Sequence, residues 1–114
     1  MRSLEMSIPM KRYEVLLSEK ASKDMEDIYD YIAKIFLAPD TAANQYDRIA
    51  DAILTLEEMP DRIRIMDSEP ERSKGFRPLV VDHYTAVYVI KNDKVYIVRV
   101  LYSATDISKH LSDS

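Results

Sequence analysis

The chain has 114 residues and a mass of 13.2 kDa, with 46% hydrophobic and 32% charged residues, one glycine and no cysteine. That length suits one domain around one core, and a net charge of −4 provides no overall basic footprint for nucleic acid. A lone glycine cannot build a phosphate-cradling loop or a nucleophile elbow, and without cysteine there is no disulfide, thiolate metal site or cysteine nucleophile.

Met1 to Met10 include Pro9 and show no periodicity. They read as a flexible extension, or as residues upstream of a start at Met10. No apolar run reaches the ~18 residues of a membrane span, and the N-terminus lacks a secretory core. A cytoplasmic protein without membrane contact is expected.

Lys11 to Leu17 predicts a strand in which Tyr13, Val15 and Leu17 alternate with Arg12, Glu14 and Leu16. Ser18 can cap the helix that follows. Ala21, Met25, Ile28, Ile32, Ile35 and Phe36 form its apolar stripe. Pro39 reads as its stop, with Asp40 or Thr41 capping a second helix. That helix carries Ala42/Ala43, Tyr46, Ile49/Ala50, Ile53 and Leu56 and closes before Pro60. The two make a helical hairpin across Leu37–Asp40, packing on the domain's own sheet or serving as a coiled-coil arm.

Asp61 to Gly75 reads as a loop, with Gly75 taking a positive-φ turn. Phe76 to Val81 reads as a strand, with Pro78 pointing to an edge position or to the strand start. A turn at Asp82-His83, a strand Tyr84 to Ile90, a hairpin turn at Lys91–Lys94 and a strand Val95 to Tyr102 follow. Thr105 or Asp106 can cap a short helix, Ile107 to Leu111. The order β-α-α-β-β-β, with a last turn of helix, predicts an α+β fold. A helical hairpin packs on a small, twisted, mostly antiparallel sheet, and the first strand joins in parallel after a crossover. The opposite face is expected to be barer and to receive a partner or substrate.

Charge is uneven. Residues 1–59 carry 7 Lys/Arg against 12 Asp/Glu, and residues 60–114 carry 9 against 8. Arg62, Arg64, Arg72, Lys74 and Arg77 form either a basic patch or a solvated connection interleaved with Asp67, Glu69 and Glu71. A metal-free ribonuclease needs an acid, a base and a phosphate-holding cation. His83 and His110 can supply the first two, and Arg77 or Arg99 the last; each also has a structural reading, for Arg77 a cross-strand ion pair. Tyr84, Tyr88, Tyr96 and Tyr102 either stack on bases or pack across strands. His83 and His110, 27 positions apart, exclude a zincin helix, and Ser103 has no local base. Asp24, Glu26, Asp27 and Asp30 read as a solvated helix face rather than metal ligands. No metal or cofactor is expected.

Tyr13–Ala21, Asp24–Ala33, Pro39–Ala43 and Leu56–Pro60 resemble the first half of RelE/ParE-type toxins of type II toxin–antitoxin modules. Arg77–Tyr88 and Val95–Tyr102 resemble the second half, so the likeness spans about residues 11–111. It implies one toxin domain over 11–114, in a bacterial growth-inhibition or plasmid-stabilisation module, neutralised by a cognate antitoxin. Oligomers are expected only with that antitoxin. The long hairpin and the Arg77–Tyr88 pattern look closer to the ParE-like branch, which implies inhibition of DNA gyrase. The RelE-like alternative implies cleavage of mRNA at the ribosome, through catalytic candidates Arg77, His83, Tyr88 and His110. A non-toxic antitoxin-binding homologue is the third reading. Partner-binding candidates are Arg77, Tyr84, Tyr88, Arg99, Tyr102 and Asp106. Where ParE-like chains carry two arginines and an Asp, this one reads Tyr102-Ser103-Ala104-Thr105-Asp106, and Thr85 stands near the RelE-like strand arginine. Neutral side chains there cannot hold a charged phosphate, which argues against RNA cleavage.

Overall fold

Ser18 opens the first helix, its Oγ accepting the Ala21 N–H at 3.0 Å. The structure is a computed structural model and describes residues 11–111. The elements run β1 (Glu14–Leu17), α1 (Glu19–Asp30), a π-helical turn (Tyr31–Ile35) and α2 (Pro39–Leu54). After 3₁₀ turns at Thr55–Glu57 and Pro60–Arg62 come α3 (Glu71–Lys74), β2 (Arg77–Val81), β3 (Tyr84–Lys91), β4 (Lys94–Tyr102) and α4 (Ile107–Leu111). The expected extension at residues 1–10, with its alternative start at Met10, lies outside the described residues.

The sheet order is β1-β4-β3-β2. β1 pairs with β4 in parallel, Val15 opposite Val95, and the other two pairings are antiparallel. The predicted α+β architecture is the one observed, with Pro78 on an outer strand where its missing N–H breaks no ladder. Val87 faces Arg99 while Tyr88 faces Ile97, so Val98 is the extra residue of a bulge. Ile97 and Val100 therefore both enter the core under the helices, although they are three residues apart. That core joins Ala21 and Met25 of α1, Ile49 and Ile53 of α2, and Leu56 to Ala86, Tyr88 and Val95 of the sheet. Each large apolar side chain withdrawn from water there contributes about 1.5–3 kcal/mol.

Several local expectations are corrected. Pro39 is the first residue of α2, where a missing N–H is harmless, and the N-cap is Ala38, so neither Asp40 nor Thr41 caps it. Tyr31–Ile35 winds more widely than an α-helix and rotates the apolar stripe. Ile32 stays buried, whereas Ile35 and Phe36 are 63% and 64% exposed. The 61–75 connection is not all loop, since α3 forms in it. Gly75 (φ +75°) ends that helix, and its N–H reaches the Arg72 carbonyl at 3.0 Å. In the β3–β4 turn only Asn92 adopts positive φ, and in the β2–β3 turn Asp82 does.

The sheet face away from the hairpin is not bare. Phe76, Val87, Val89 and Leu111 form a second buried cluster with Met66, Val98 and Ile107, under α4 and the 61–76 connection. Ala86 to Val89 are buried without interruption, the pattern of a strand covered on both faces.

Candidate functional site

Four of the sequence-derived site residues belong to the framework. Tyr88 is fully buried, and its hydroxyl donates to the Pro60 carbonyl at 2.5 Å. Burial pushes its phenol up from the ordinary value, so it stays a neutral donor. That burial corrects its place among catalytic and partner-binding residues. Arg77 makes no cross-strand ion pair. Its Nη1 donates to the backbone carbonyls of Ile63 at 2.5 Å and Asp61 at 3.3 Å, pinning the connection to β2.

Arg99 forms a two-point pair with Asp24, Nε at 2.7 Å and Nη2 at 2.9 Å, with both side chains mostly buried. Asp24 is thus no part of a solvated face. β1 ends at Leu17 and the Ser18 Oγ donates to the Val98 carbonyl at 2.8 Å, which leaves the outer edge of β4 open beyond it. Asp24 fills that gap by accepting the Val100 N–H at 2.9 Å. Asp106 caps α4, accepting the Lys109 N–H at 3.4 Å.

Tyr84 and Tyr102, opposite each other in the β3–β4 ladder, meet edge to face with ring centroids 5.8 Å apart. They form one wall of a groove of about 540 Å³. Ile28 of α1, Tyr31 and Phe36 form the other, with Val100 and Leu101 between them and Asp27 on the rim. Tyr31 and Phe36 are themselves edge to face at 5.5 Å. Burial pushes the Tyr84 phenol up, with the Tyr102 and Tyr31 phenols adding to it. Asp27 is held by Lys23 one helical turn away at 2.8 Å. Tyr31, Ile35, Phe36 and Leu37 expose apolar surface continuing from that wall, Leu37 at 84%. An apolar, ring-lined groove with a carboxylate at its lip suits an amphipathic protein segment.

The candidate clamp Arg77 and the candidate base His83 do not converge. Arg77 starts β2, whereas His83 lies in the turn beyond its far end, past roughly 13 Å of extended strand. His83 and His110 are both exposed, His110 on α4. Thr85 shares a hydrogen bond of 2.7 Å with Ser103, so both hydroxyls are engaged. Arg62, Arg64, Arg72 and Arg77 do come together, around a separate cleft of about 480 Å³ with Asp61 and Asp67. Lys74 turns instead over the Phe76 ring. Among the described residues no group of three or more His, Asp or Glu is placed to hold a metal ion. Nor is any helix among them long and apolar enough to cross a membrane.

The sequence reading selected Tyr84 and Tyr102 but missed Ile28, Tyr31, Phe36 and Leu101 as their companions. The available signal was the aromatic and apolar run Tyr29 to Leu37, too dense for one buried stripe.

A family model described as "ParE toxin of type II toxin-antitoxin system, parDE" matches residues 15–107. Among solved structures, the chain is similar to the chromosomal ParDE toxin–antitoxin system from P. aeruginosa, with 21% identity and a TM-score of 0.68. That match covers 81% of this chain and 97% of the other. It is also similar to the toxin–antitoxin complex RelBE2 from Mycobacterium tuberculosis, with 22% identity and a TM-score of 0.58. There the coverage is 85% of this chain and 98% of the other. At such identities these two likenesses speak for the fold. A comparison with curated proteins finds no match.

Proposed function

Because the chain belongs to the ParE toxin family of type II toxin–antitoxin systems, we propose that it acts by gripping a protein rather than by cutting RNA. In this reading residues 11–114 form one toxin domain that works in the bacterial cytoplasm and inhibits growth, residues 1–10 being an extension. A cognate antitoxin neutralises it, and the resemblance points to DNA gyrase as the protein inhibited.

The groove between Tyr31/Phe36 and Tyr84/Tyr102 carries this reading. It is apolar, opens beside the exposed Ile35–Leu37 tip, and is of a size to seat an amphipathic helix of the antitoxin. The separation of Arg77 from His83 supports the same conclusion from the other side. A ribonuclease without a metal needs acid, base and phosphate clamp within reach of one bond, and Arg77 and His83 stand at opposite ends of β2.

Induced expression in bacteria tests it, with growth, plasmid supercoiling and transcript integrity read together. Growth arrest with altered supercoiling and intact transcripts is the expected result. Cleaved transcripts would replace it by the RelE-like reading, and normal growth would leave only an antitoxin-binding homologue.

A further inference from the structure

We infer that the arginine cleft at the start of β2 receives an acidic, aliphatic peptide segment of a protein partner, at a surface separate from the tyrosine-lined groove. Three neighbouring stretches of chain supply its cations: Arg62 and Arg64 after the Pro60 turn, Arg72 from α3 and Arg77 from β2. Among the described residues lining the cleft, Asp61 and Asp67 stand against them, so a chain of net charge −4 concentrates positive charge here.

Two of the four guanidinium groups are held in place by neutral acceptors. Arg62 donates to the carbonyls of Thr55, Glu58 and Met59 and to the Thr55 hydroxyl, at 2.8–3.3 Å. Arg77 donates to the Asp61 and Ile63 carbonyls. These bonds fix the side chains without cancelling their charge. Neither residue, nor Arg72, has a carboxylate within ion-pair distance among the described residues; Arg64 pairs with Asp67 at 3.2 Å in full solvent. A guanidinium has five N–H donors, and backbone carbonyls occupy only some of them. The result is a pre-organised, incompletely satisfied set of donors, suited to planar oxyanions.

The surroundings decide between classes of anion. A second shallow cleft of about 360 Å³ shares Arg64, Ile65 and Asp67 with the first and adds Ile63, Met66 and Pro78. The two form one track, cationic along one part and aliphatic along the other. Among the described residues no aromatic ring lines either cleft, so they offer no platform on which bases of a single strand can stack. Asp61 and Asp67 also repel a multiply charged phosphate more than single carboxylates spaced along a peptide. Acidic and aliphatic side chains in one segment match both parts of the track.

The test uses the full-length chain and fluorescence anisotropy with three labelled probes. These are a 12-residue peptide alternating Glu with Leu or Val, its Gln-for-Glu counterpart, and a 12-nucleotide single-stranded RNA. The acidic peptide should bind at least tenfold more tightly than the neutral peptide and more tightly than the RNA. Its binding should weaken steeply as salt is raised from 50 to 300 mM. Arg64→Glu with Arg72→Glu should weaken it at least tenfold; neither side chain holds the backbone, so the far-UV spectrum and melting profile should be retained. Arg64→Gln with Arg72→Gln, a milder pair, should still cost at least threefold. Equal binding by these variants, or equal binding of the neutral peptide, overturns the inference. Tighter RNA binding that the same variants abolish overturns it too, and makes the cleft a nucleic-acid site.

Discussion

The carboxylate of Asp24 completes β4 and pairs with Arg99 in one stroke: it accepts the Val100 N–H at 2.9 Å and both Nε and Nη2 of the guanidinium, at 2.7 and 2.9 Å. α1 is thereby fastened to the one stretch of β4 that β1 is too short to cover.

Asp24→Ala leaves Arg99 mostly buried without that carboxylate and the Val100 N–H without its acceptor. A loss of about 2–3 kcal/mol is expected, read as a lower denaturant midpoint with an unchanged slope. Asp24→Asn, which keeps the backbone acceptor but not the charge, should recover part of it.

Asp82, in the β2–β3 turn, takes hydrogen bonds from Gln45 at 3.0 Å and from Arg48 at 2.8 Å on each oxygen, tying the turn to α2. The Arg48 hydrogen bonds, then that from Gln45, hold its carboxyl down at about 2 against an ordinary 3.8. A carboxylate with a depressed folded pKa stabilises above the unfolded value. The contribution is therefore complete above about pH 4 and is lost as pH falls toward 2. The stability gap between the parent chain and Arg48→Ala should be constant from pH 5 to 7 and close between pH 4 and 2, in denaturation series across that range.

Gly75 ends α3 with φ +75°, and a Cβ there would meet only Val89 Cγ2, at 3.9 Å. Space is available, so Gly75→Ala carries a conformational cost alone, about 1 kcal/mol. Gly75→Asn should cost less, since asparagine tolerates the left-handed region. Thermal melts of the three proteins check the ranking.

Phe36 is 64% exposed on the groove wall. Phe36→Ala should leave stability within about 1 kcal/mol while weakening the complex with the antitoxin at least tenfold, if the groove seats its main anchor. Titration calorimetry with the antitoxin of the proposed module measures it. Unchanged affinity would move the antitoxin contact elsewhere on the surface.

Much of the fold was readable along the chain. The Ser18 cap, the stripe through Ala21, Met25, Ile28 and Ile32, the edge position of Pro78 and the positive-φ Gly75 are all local. Capping chemistry, apolar period and backbone stereochemistry act within a few residues, and those residues are printed side by side. The errors fell where a local signal was ambiguous. A proline after a helix reads equally as a stop or as the first residue of the next one. A wider π-helical turn at Tyr31 shifts every later position without a distinct residue code.

The candidate sites were less legible, for a different reason. Tyr84 and Tyr102 were singled out because they sit on strands, but Tyr88 was chosen on the same grounds and proved to be core. The difference lies in which end of the sheet each occupies and what lies over it. Arg77 was chosen for its charge, and its first duty is to hold two backbone carbonyls.

The sequence by itself therefore determined the element order, the α+β class, the family resemblance and the absence of cysteine chemistry and glycine-rich phosphate loops. Tertiary structure alone decided that Asp24 and Arg99, 75 residues apart, share one buried pair, and that four arginines from three segments surround one cleft. It also decided that Ile28, Tyr31 and Phe36 close a groove with Tyr84 and Tyr102. Local propensity depends on neighbours in the chain, whereas burial and charge pairing depend on neighbours in space, which only the folded sheet and hairpin supply.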